Sequence, residues 1–484
     1  MHDVILVLCR NLHHAGLIAR TLRCREVLCL PVPFDTRCEQ AMSCHPSGII
    51  LTEESLEPDA LEGLDFELLS CGVPVLALDG AAAILCSHFG GSMSAVCDER
   101  KLVEMSFEAD PLFDEIDPGE RMLKDYAELT LSDPLIPLAS ASGRVIGFRH
   151  DALPLYAVQY PVERNDPDSA QMIYNFACGV CGVKADWNED AIIDEAVETI
   201  RQAAPEGRVL CAVSGGVDSA VCAKLASLAV GDRLSCLFID TGLFRQEEPE
   251  TVVGTYMDTL GLQVQQVEAS EMFLRALSGV ASPADKERIA TQLMTQMLIR
   301  QLGTDPEIRT IVMGTNFNDT LFGFAPPSAE KDKLPEGISS CEPIRGLFKE
   351  EVRRVAAALE LPARLAERQP FPSSGLALRV MSSINAEKLR ILREADACFT
   401  DEIRQGGYDR RLWQYYATLV ESPDTPDGYA VCLRATQAAQ GGAMAARIPF
   451  DVLERVTQRI REEIPAVKRV VYDLTPSAHY AELE

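Results

Sequence analysis

Six consecutive residues, Ser214-Gly215-Gly216-Val217-Asp218-Ser219, combine two hydroxyls, two adjacent glycines and one carboxylate. Adjacent glycines let backbone N–H groups converge on an anion with no Cβ in the way. Ser214 and Ser219 add hydroxyl donors. Asp218 is itself an anion and cannot donate to a phosphate. It fits the pattern if Mg²⁺ stands between it and the phosphates. The chemistry implied is binding of a polyphosphate with its metal. The bland alternative is an ordinary strand-to-helix turn, and a Gly-Gly pair alone does not decide between the two. The stretch is not a Walker A loop, because no Gly-Lys-Ser/Thr follows a glycine at the required spacing.

The flanking residues supply the elements that must position this turn. Val209 to Val213 is a short apolar run, the mark of a parallel strand covered on both faces. Val221, Leu225 and Leu228 follow at helical spacing on one face. A glycine turn that opens a helix aims free N–H groups and the positive end of the dipole at a bound anion. Further strands are expected at Leu234–Asp240, Leu262–Val267 and Ile308–Met313. Ligands of an open parallel sheet bind beyond the carboxyl ends of its strands. Ser214–Ser219, Asp240–Gly242 and Gly314–Asp319 all fall at such ends. Asp240 and Asp319 also have a structural reading, as strand-end or helix-capping carboxylates.

The chain is 484 residues long, which suggests about three domains. Its net charge of −28 argues against a nucleic-acid partner, since phosphate backbones need basic patches. No segment has the unbroken apolar length of a membrane helix. The start, Met1-His2-Asp3-Val4, lacks the basic residues of a signal peptide. Sixteen cysteines scattered through apolar runs read as reduced thiols, so a cytoplasmic setting is expected. Cys178 and Cys181 have CxxC spacing, but no second pair completes a zinc site.

Strands at Val4–Leu8, Glu26–Val32, Gly48–Leu51 and Val73–Leu78 alternate with helical patterns, which implies a doubly wound parallel sheet. The order Ile-Leu-Val-Leu, Gly-Ile-Ile-Leu, Pro-Val-Leu, Ala-Val-Gln-Tyr resembles a class I glutamine amidotransferase domain, here over 1–183. That chemistry needs a Cys nucleophile on a sharp elbow, a His base and a Glu that orients it. The family's elbow, Gly-Ile-Cys-Tyr-Gly-Met-Gln, becomes Ala77-Leu78-Asp79-Gly80-Ala81-Ala82-Ala83, so Asp79 holds the nucleophile position. The family's His-Pro-Glu becomes Pro161-Val162-Glu163. Glu53-Glu54 replace the glycine pair of the oxyanion hole. The expectation is a scaffold domain that is dead as a glutaminase. A rewired Cys86/His88 pair is the alternative, although Cys86 would lie inside the following helix.

Over 184–370 the Ser-Gly-Gly-Val-Asp-Ser string resembles the pyrophosphate loop of the ATP pyrophosphatases, and the surrounding segments resemble the GMP synthase family. Phe238-Ile-Asp-Thr-Gly-Leu-Phe-Arg245, Gly279-Val-Ala-Ser-Pro-Ala-Asp-Lys286, Glu342-Pro-Ile-Arg345 and Leu347-Phe-Lys-Glu-Glu-Val-Arg353 carry the likeness. The resemblance implies ATP and Mg²⁺ as cofactors. Ser214, Gly215, Gly216, Val217, Asp218, Ser219, Asp240, Gly314 and Thr315 would bind nucleotide, and Asp218 and Asp319 would be catalytic metal ligands. It implies Arg245, Lys349 and Arg434 as substrate-binding residues. The family's lid, Lys-Ser-His-His-Asn-Val-Gly-Gly, is replaced by a shorter loop in which Lys331 and Lys333 are either the phosphate cation or solvated lysines.

Residues 371–484 resemble the family's small α+β dimerisation domain, which implies a homodimer. Its substrate-binding pieces depart from the pattern. Phe371-Pro-Ser-Ser-Gly375 stands for Phe-Pro-Gly-Pro-Gly, and the C-terminal lysine is absent. Arg434 is either a ligand or an ion-pair partner. The implied reaction is adenylation of XMP, then displacement of AMP by ammonia taken from solution or from a separate glutaminase. Two alternatives stand: the same chemistry on a different small acceptor, and a non-catalytic nucleotide-binding protein.

Overall fold

A computed structural model describes residues 2–475 apart from 58, 98–100, 124–125, 161, 163–165, 318, 320–333, 367, 370, 373, 422–427 and 440–441. Pro161, Glu163, Lys331 and Lys333 lie outside the described residues. The chain divides into two compact units, Met1–Ile192 and Ile193–Glu484. Both are α/β, and each is built around a sheet with a parallel core.

The first unit contains a nine-stranded sheet. Cys29–Val32, Ile5–Cys9, Gly48–Glu53, Val75–Asp79 and Leu155–Val158 lie side by side and parallel. Ile5–Cys9 is buried at every position, as a strand covered on both faces must be. Beyond Leu155–Val158 the sheet continues antiparallel through Arg144–His150, Leu135–Ala141, Lys101–Phe107 and Gly119–Leu123. This extension is absent from the expectations drawn from sequence. Its signal is the alternation in Lys101–Phe107, where Val103 and Met105 are buried between exposed neighbours.

The second unit contains a five-stranded, wholly parallel sheet. Its order is Val264–Glu268, Leu234–Asp240, Arg208–Val213, Ile308–Val312, Ser339–Cys341. Strands added on opposite sides of Arg208–Val213 make the gap between it and Ile308–Val312 the topological switch point. The helix Val217–Val230 is apolar almost all round, and both Val221 and Leu225 are fully buried. Leu228 does not join that face, since it is 48% exposed in the last turn before Gly231. A second sheet joins Gln414–Val420, Tyr429–Ala439, Gly442–Ala445 and Val467–Tyr472. The boundary expected at 370 falls inside this unit. One apolar core runs from Leu210 and Ile311 on the first sheet to Leu433 and Val456 beside the second. Among the described residues no helix is long and apolar enough to cross a membrane.

Candidate active site

Strand Arg208–Val213 runs into Ser214, and Gly216 caps the helix that begins at Val217. Gly215 has φ +80°, and a Cβ there would meet Val252 Cγ2 at 2.4 Å. Glycine is therefore demanded twice, by backbone and by space. The loop is tied together from inside. Ser214 N donates to Ser219 Oγ at 3.2 Å, Gly216 N to Ser214 Oγ at 3.4 Å, and Ser219 Oγ to Gly216 O at 3.0 Å. Below it, Ser219 Oγ lies 3.3 Å from the hydroxyl of the fully buried Tyr256.

The neighbouring strand Ile308–Val312 brings Gly314 against this helix. A Cβ on Gly314 would lie 3.0 Å from Ser219 N, so Gly314 allows the two strand ends to close on one point. Thr315 follows it, half-buried at the same strand end. Asn316, almost fully buried, donates from Nδ2 to Asp218 Oδ1 at 3.4 Å. Its backbone N donates to Asp319 Oδ2 at 2.8 Å, and Asp319 N returns a bond to Asn316 Oδ1 at 3.2 Å. Lys349 Nζ donates to Asp218 Oδ2 at 2.6 Å. Burial, and then the charge of Asp218, hold the Asp319 carboxyl above its ordinary range against the pull of Lys349. Mg²⁺ commonly takes one or two carboxylates and completes its shell with phosphate oxygens and water. Asp218 and Asp319 match that donor set, and their mutual repulsion is what a divalent cation relieves.

Asp240 ends the strand on the other side. Its carboxylate accepts from Gly242 N at 2.9 Å, and it is pushed up by burial. Those contacts shape the turn after the strand. Arg434, itself buried, forms a partly buried ion pair with Asp473, Nη1 to Oδ2 2.7 Å. Burial raises the Asp473 carboxyl, but hydrogen bonds from Thr475 and the charge of Arg434 win and hold it low.

Arg245 belongs to a group that sequence reasoning missed. Arg245, Arg368 and Arg379 all stack on Phe371, at 5.1, 5.6 and 4.9 Å from the ring centroid. Arg379 also lies over Tyr416 at 4.3 Å. Asp396 is the shared counter-ion, 3.1 Å from Arg245 Nε and 3.5 Å from Arg379 Nη1, and Arg368 pairs with Glu248. Within this group three guanidiniums meet two carboxylates. Arg379 is fully buried, and none of its three side-chain nitrogens makes a hydrogen bond. Burial, then the neighbouring Arg245, push its guanidinium down to about 9. A cluster with more guanidiniums than carboxylates is suited to an anion. Arg368 Nη1 reaches Ser214 O at 3.5 Å, so the cluster adjoins the Ser214–Ser219 loop. Gly375, φ +59°, holds the segment in place: a Cβ there would strike Leu243 O at 2.4 Å. One signal was available, a lone Arg379 closing the apolar run Leu376-Ala-Leu.

In the first unit, Asp79 stands at the end of strand Val75–Asp79 with φ 54° and ψ −131°, immediately before the helix Gly80–His88. The chain turns sharply there from strand to helix, and a carboxylate stands at the turn. Cys86 is fully buried in the helix, its thiol 3.8 Å from Thr130 O and 3.9 Å from Ser92 O, and burial raises it. Such burial is that of a structural thiol.

Similarity to known proteins agrees with this geometry. The NAD synthase family model matches residues 190–383, and the GMP synthase C terminal domain model matches 401–479. The GMP synthase [glutamine-hydrolyzing] of Caldicellulosiruptor saccharolyticus is 34% identical over 98% of both chains. That of Bacillus cytotoxicus is 32% identical over 98% of this chain and 97% of its own. The chain belongs to the GMP synthase family. A third relative, the GMP synthase [glutamine-hydrolyzing] of Carboxydothermus hydrogenoformans, is 31% identical over 98% of both chains. The NAD synthase match, 190–383, spans the Ser214–Ser219 turn.

Proposed function

We propose that this chain adenylates XMP and aminates it with ammonia, releasing AMP and pyrophosphate. The observation that carries the reading is the junction of the two clusters. The Ser214–Ser219 loop, with Asp218 and Asp319, is suited to Mg·ATP. The group of Arg245, Arg368 and Arg379 beside Ser214 is suited to the phosphate of an acceptor nucleotide. In the first step an acceptor oxygen attacks the α-phosphorus of ATP, and the α–β bond breaks. Loop N–H groups and the hydroxyls of Ser214 and Ser219 receive the leaving pyrophosphate. Asp218 and Asp319 would hold Mg²⁺, which would supply charge neutralisation there. Lys349, which donates to Asp218, would turn from it to the phosphates. Ammonia then attacks the adenylated carbon, and AMP leaves with the bonding pair.

The first unit bears on the nitrogen source. The relatives are named glutamine-hydrolyzing, but a carboxylate at Asp79 cannot form the thioester that glutamine hydrolysis needs. Ammonia from solution or from a separate glutaminase takes its place. The division into 1–183, 184–370 and 371–484 is part of this reading. So is a homodimer through the C-terminal sheet, which exposes Met444 and Val471 and is flanked by the exposed Trp413 and Leu474.

The test is release of AMP from ATP with candidate acceptors, with ammonia and with glutamine. The expected result is turnover that requires XMP and ammonia, with none on glutamine. AMP release indifferent to XMP would move the acceptor elsewhere, a reading favoured by the altered Phe371–Gly375 segment. Glutamine-supported turnover by the pure chain would overturn the nitrogen assignment.

A further inference from the structure

Ser219 Oγ stands at the centre of the loop's hydrogen bonds, and its partners fix where each proton goes. A hydroxyl has one proton and two lone pairs. Gly216 O lies 3.0 Å from Ser219 Oγ, Ser214 N 3.2 Å, and the hydroxyls of Ser214 and Tyr256 3.3 Å each. Gly216 O only accepts, so it takes the Ser219 proton. Ser214 N only donates, so it fills one lone pair. One lone pair is left for two hydroxyls.

Tyr256 has the stronger claim on it. Its side chain is fully buried, and among the described residues Ser219 is the one hydrogen-bond partner of its hydroxyl. Burial holds the phenol well above its ordinary range, so it keeps its proton. A buried donor left without an acceptor is costly, so that proton goes to Ser219 Oγ. Ser214, by contrast, is exposed, and its Oγ accepts from Gly216 N at 3.4 Å. With the second lone pair of Ser219 filled by Tyr256, the Ser214 proton is left for a ligand.

The element that carries Tyr256 is fitted to the loop along one side. The helix Glu248–Gly254 continues as a π-helical turn, Thr255–Thr259, a form that frequently marks functional sites. Residues four apart meet the loop in succession. Glu248 pairs with Arg368, which donates to Ser214 O. Val252 lies against Gly215, and Tyr256 reaches Ser219.

We propose that Tyr256 is a positioning residue of the loop: its hydroxyl donates to Ser219 Oγ and so leaves the Ser214 proton to a bound polyphosphate. This role rests on the reading of the loop as a Mg·ATP site. In Tyr256→Phe the vacated lone pair of Ser219 takes the Ser214 proton from 3.3 Å away, and the ligand must compete for it. Without the Ser219 hydroxyl nothing takes that proton, and the phenol no longer matters.

Calorimetric titration of Mg·ATP into the full chain and into Tyr256→Phe, Ser219→Ala and the double variant tests this. Tyr256→Phe should weaken binding about fivefold, the size of one neutral hydrogen bond. In the Ser219→Ala background the same change should move it by less than about twofold. A phenol that merely packs under the loop would cost the same in both backgrounds, and that result would overturn the proposal. The hydrogen bond is read separately, without ligand, by NMR of the chain labelled at tyrosine ¹³Cζ. The chain has 11 tyrosines, and Tyr256→Phe assigns the signal. Ser219→Ala should shift it, while the other tyrosine signals stay in place to report an intact fold. An unmoved Tyr256 signal would overturn the proposal. A parent chain that binds no Mg·ATP while this signal responds would overturn the reading of the loop and this role with it, the Tyr256–Ser219 bond alone standing.

Discussion

Strands Arg208–Val213 and Val75–Asp79 both end in a tight turn that opens a helix, and both turns lie at the carboxyl edge of a parallel sheet. Both pass through positive φ, +80° at Gly215 and 54° at Asp79. In each, a glycine is pressed by a neighbour: Gly215 by Val252, Gly80 by the carbonyl of Ser55, 2.0 Å from where a Cβ would stand. The side chains then set opposite signs. The Gly215 turn gathers hydroxyls and N–H groups, with Lys349 and Arg368 next to it. The Asp79 turn gathers carboxylates and one imidazole, that of His14. Gly215 adopts its conformation at little steric cost, whereas a non-glycine residue in this region costs about 1–3 kcal/mol. A similar backbone turn thus carries hydroxyl and N–H donors in one unit and carboxylates in a strained conformation in the other.

The comparison breaks most completely at Gly215. Gly215→Val adds a side chain where even a Cβ collides with Val252, in a conformation valine rarely adopts. AMP formation should fall by at least ~100-fold, on the scale of losing preorganised donors. If the variant keeps its ATP affinity by fluorescent-nucleotide binding, the loop is not the phosphate cradle.

Asp319→Asn separates function from stability. The substitution keeps an oxygen for the Asn316 N–H and removes the charge that opposes Asp218. Turnover should fall by about 100-fold, with weaker dependence on Mg²⁺. Stability should move the other way. The Asp319 pKa is raised in the folded chain, so its proton favours the fold at low pH, and that contribution is lost as pH rises through the folded-state value. The stabilisation by Asn is accordingly absent in acid and grows toward neutrality. Urea unfolding of both proteins at about pH 4 and about pH 8 reads the sign. An Asn variant less stable than the parent at the higher pH would remove the repulsion argument.

Arg379→Met tests the guanidinium cluster in the same way. A methionine of similar length relieves a desolvated charge whose nitrogens make no hydrogen bond. Stability should hold or rise by about 1 kcal/mol, as when a poorly paired buried charge is replaced. The KM for XMP should rise about tenfold or more, with a smaller change in the KM for ATP. Equal effects on both would detach the cluster from the acceptor.

These residues also mark what sequence can carry. The phosphate loop was legible because its donors are contiguous and its strand and helix adjoin it. Gly314 and Asp319 were legible as strand-end residues. The cluster around Phe371 was not, because Arg245, Arg368, Arg379 and Asp396 come from separate segments and meet only through tertiary packing. Tyr256 was invisible for the same reason: it meets Ser219 only where a π-helical turn passes beneath the loop. The antiparallel extension was missed because its outward positions include apolar residues, Leu102 at 56% and Met122 at 42% exposure, which blur the alternation. The elbow at Asp79 was legible from its place between strand and helix, but its retained strain is a property of the backbone alone.

That strain gives the smallest effect. At φ 54°, ψ −131° Asp79→Gly removes a steric penalty of about 1 kcal/mol or more. It also removes a carboxylate from a helix N-terminus, a loss of about 0.5 kcal/mol. Asp79→Ala keeps the penalty and loses the carboxylate. Asp79→Asn keeps the shape, tolerates positive φ better than alanine, and loses only the charge. The expected order of stability is Gly above Asn above Ala, with Gly close to or above the parent. The chain has two tryptophans, and Trp187 belongs to the first unit. In a Trp413→Phe background its fluorescence during urea unfolding reports that unit. If Gly and Ala prove equal, the Asp79 turn is unstrained. The two elbows would then differ in charge and no longer in backbone energy.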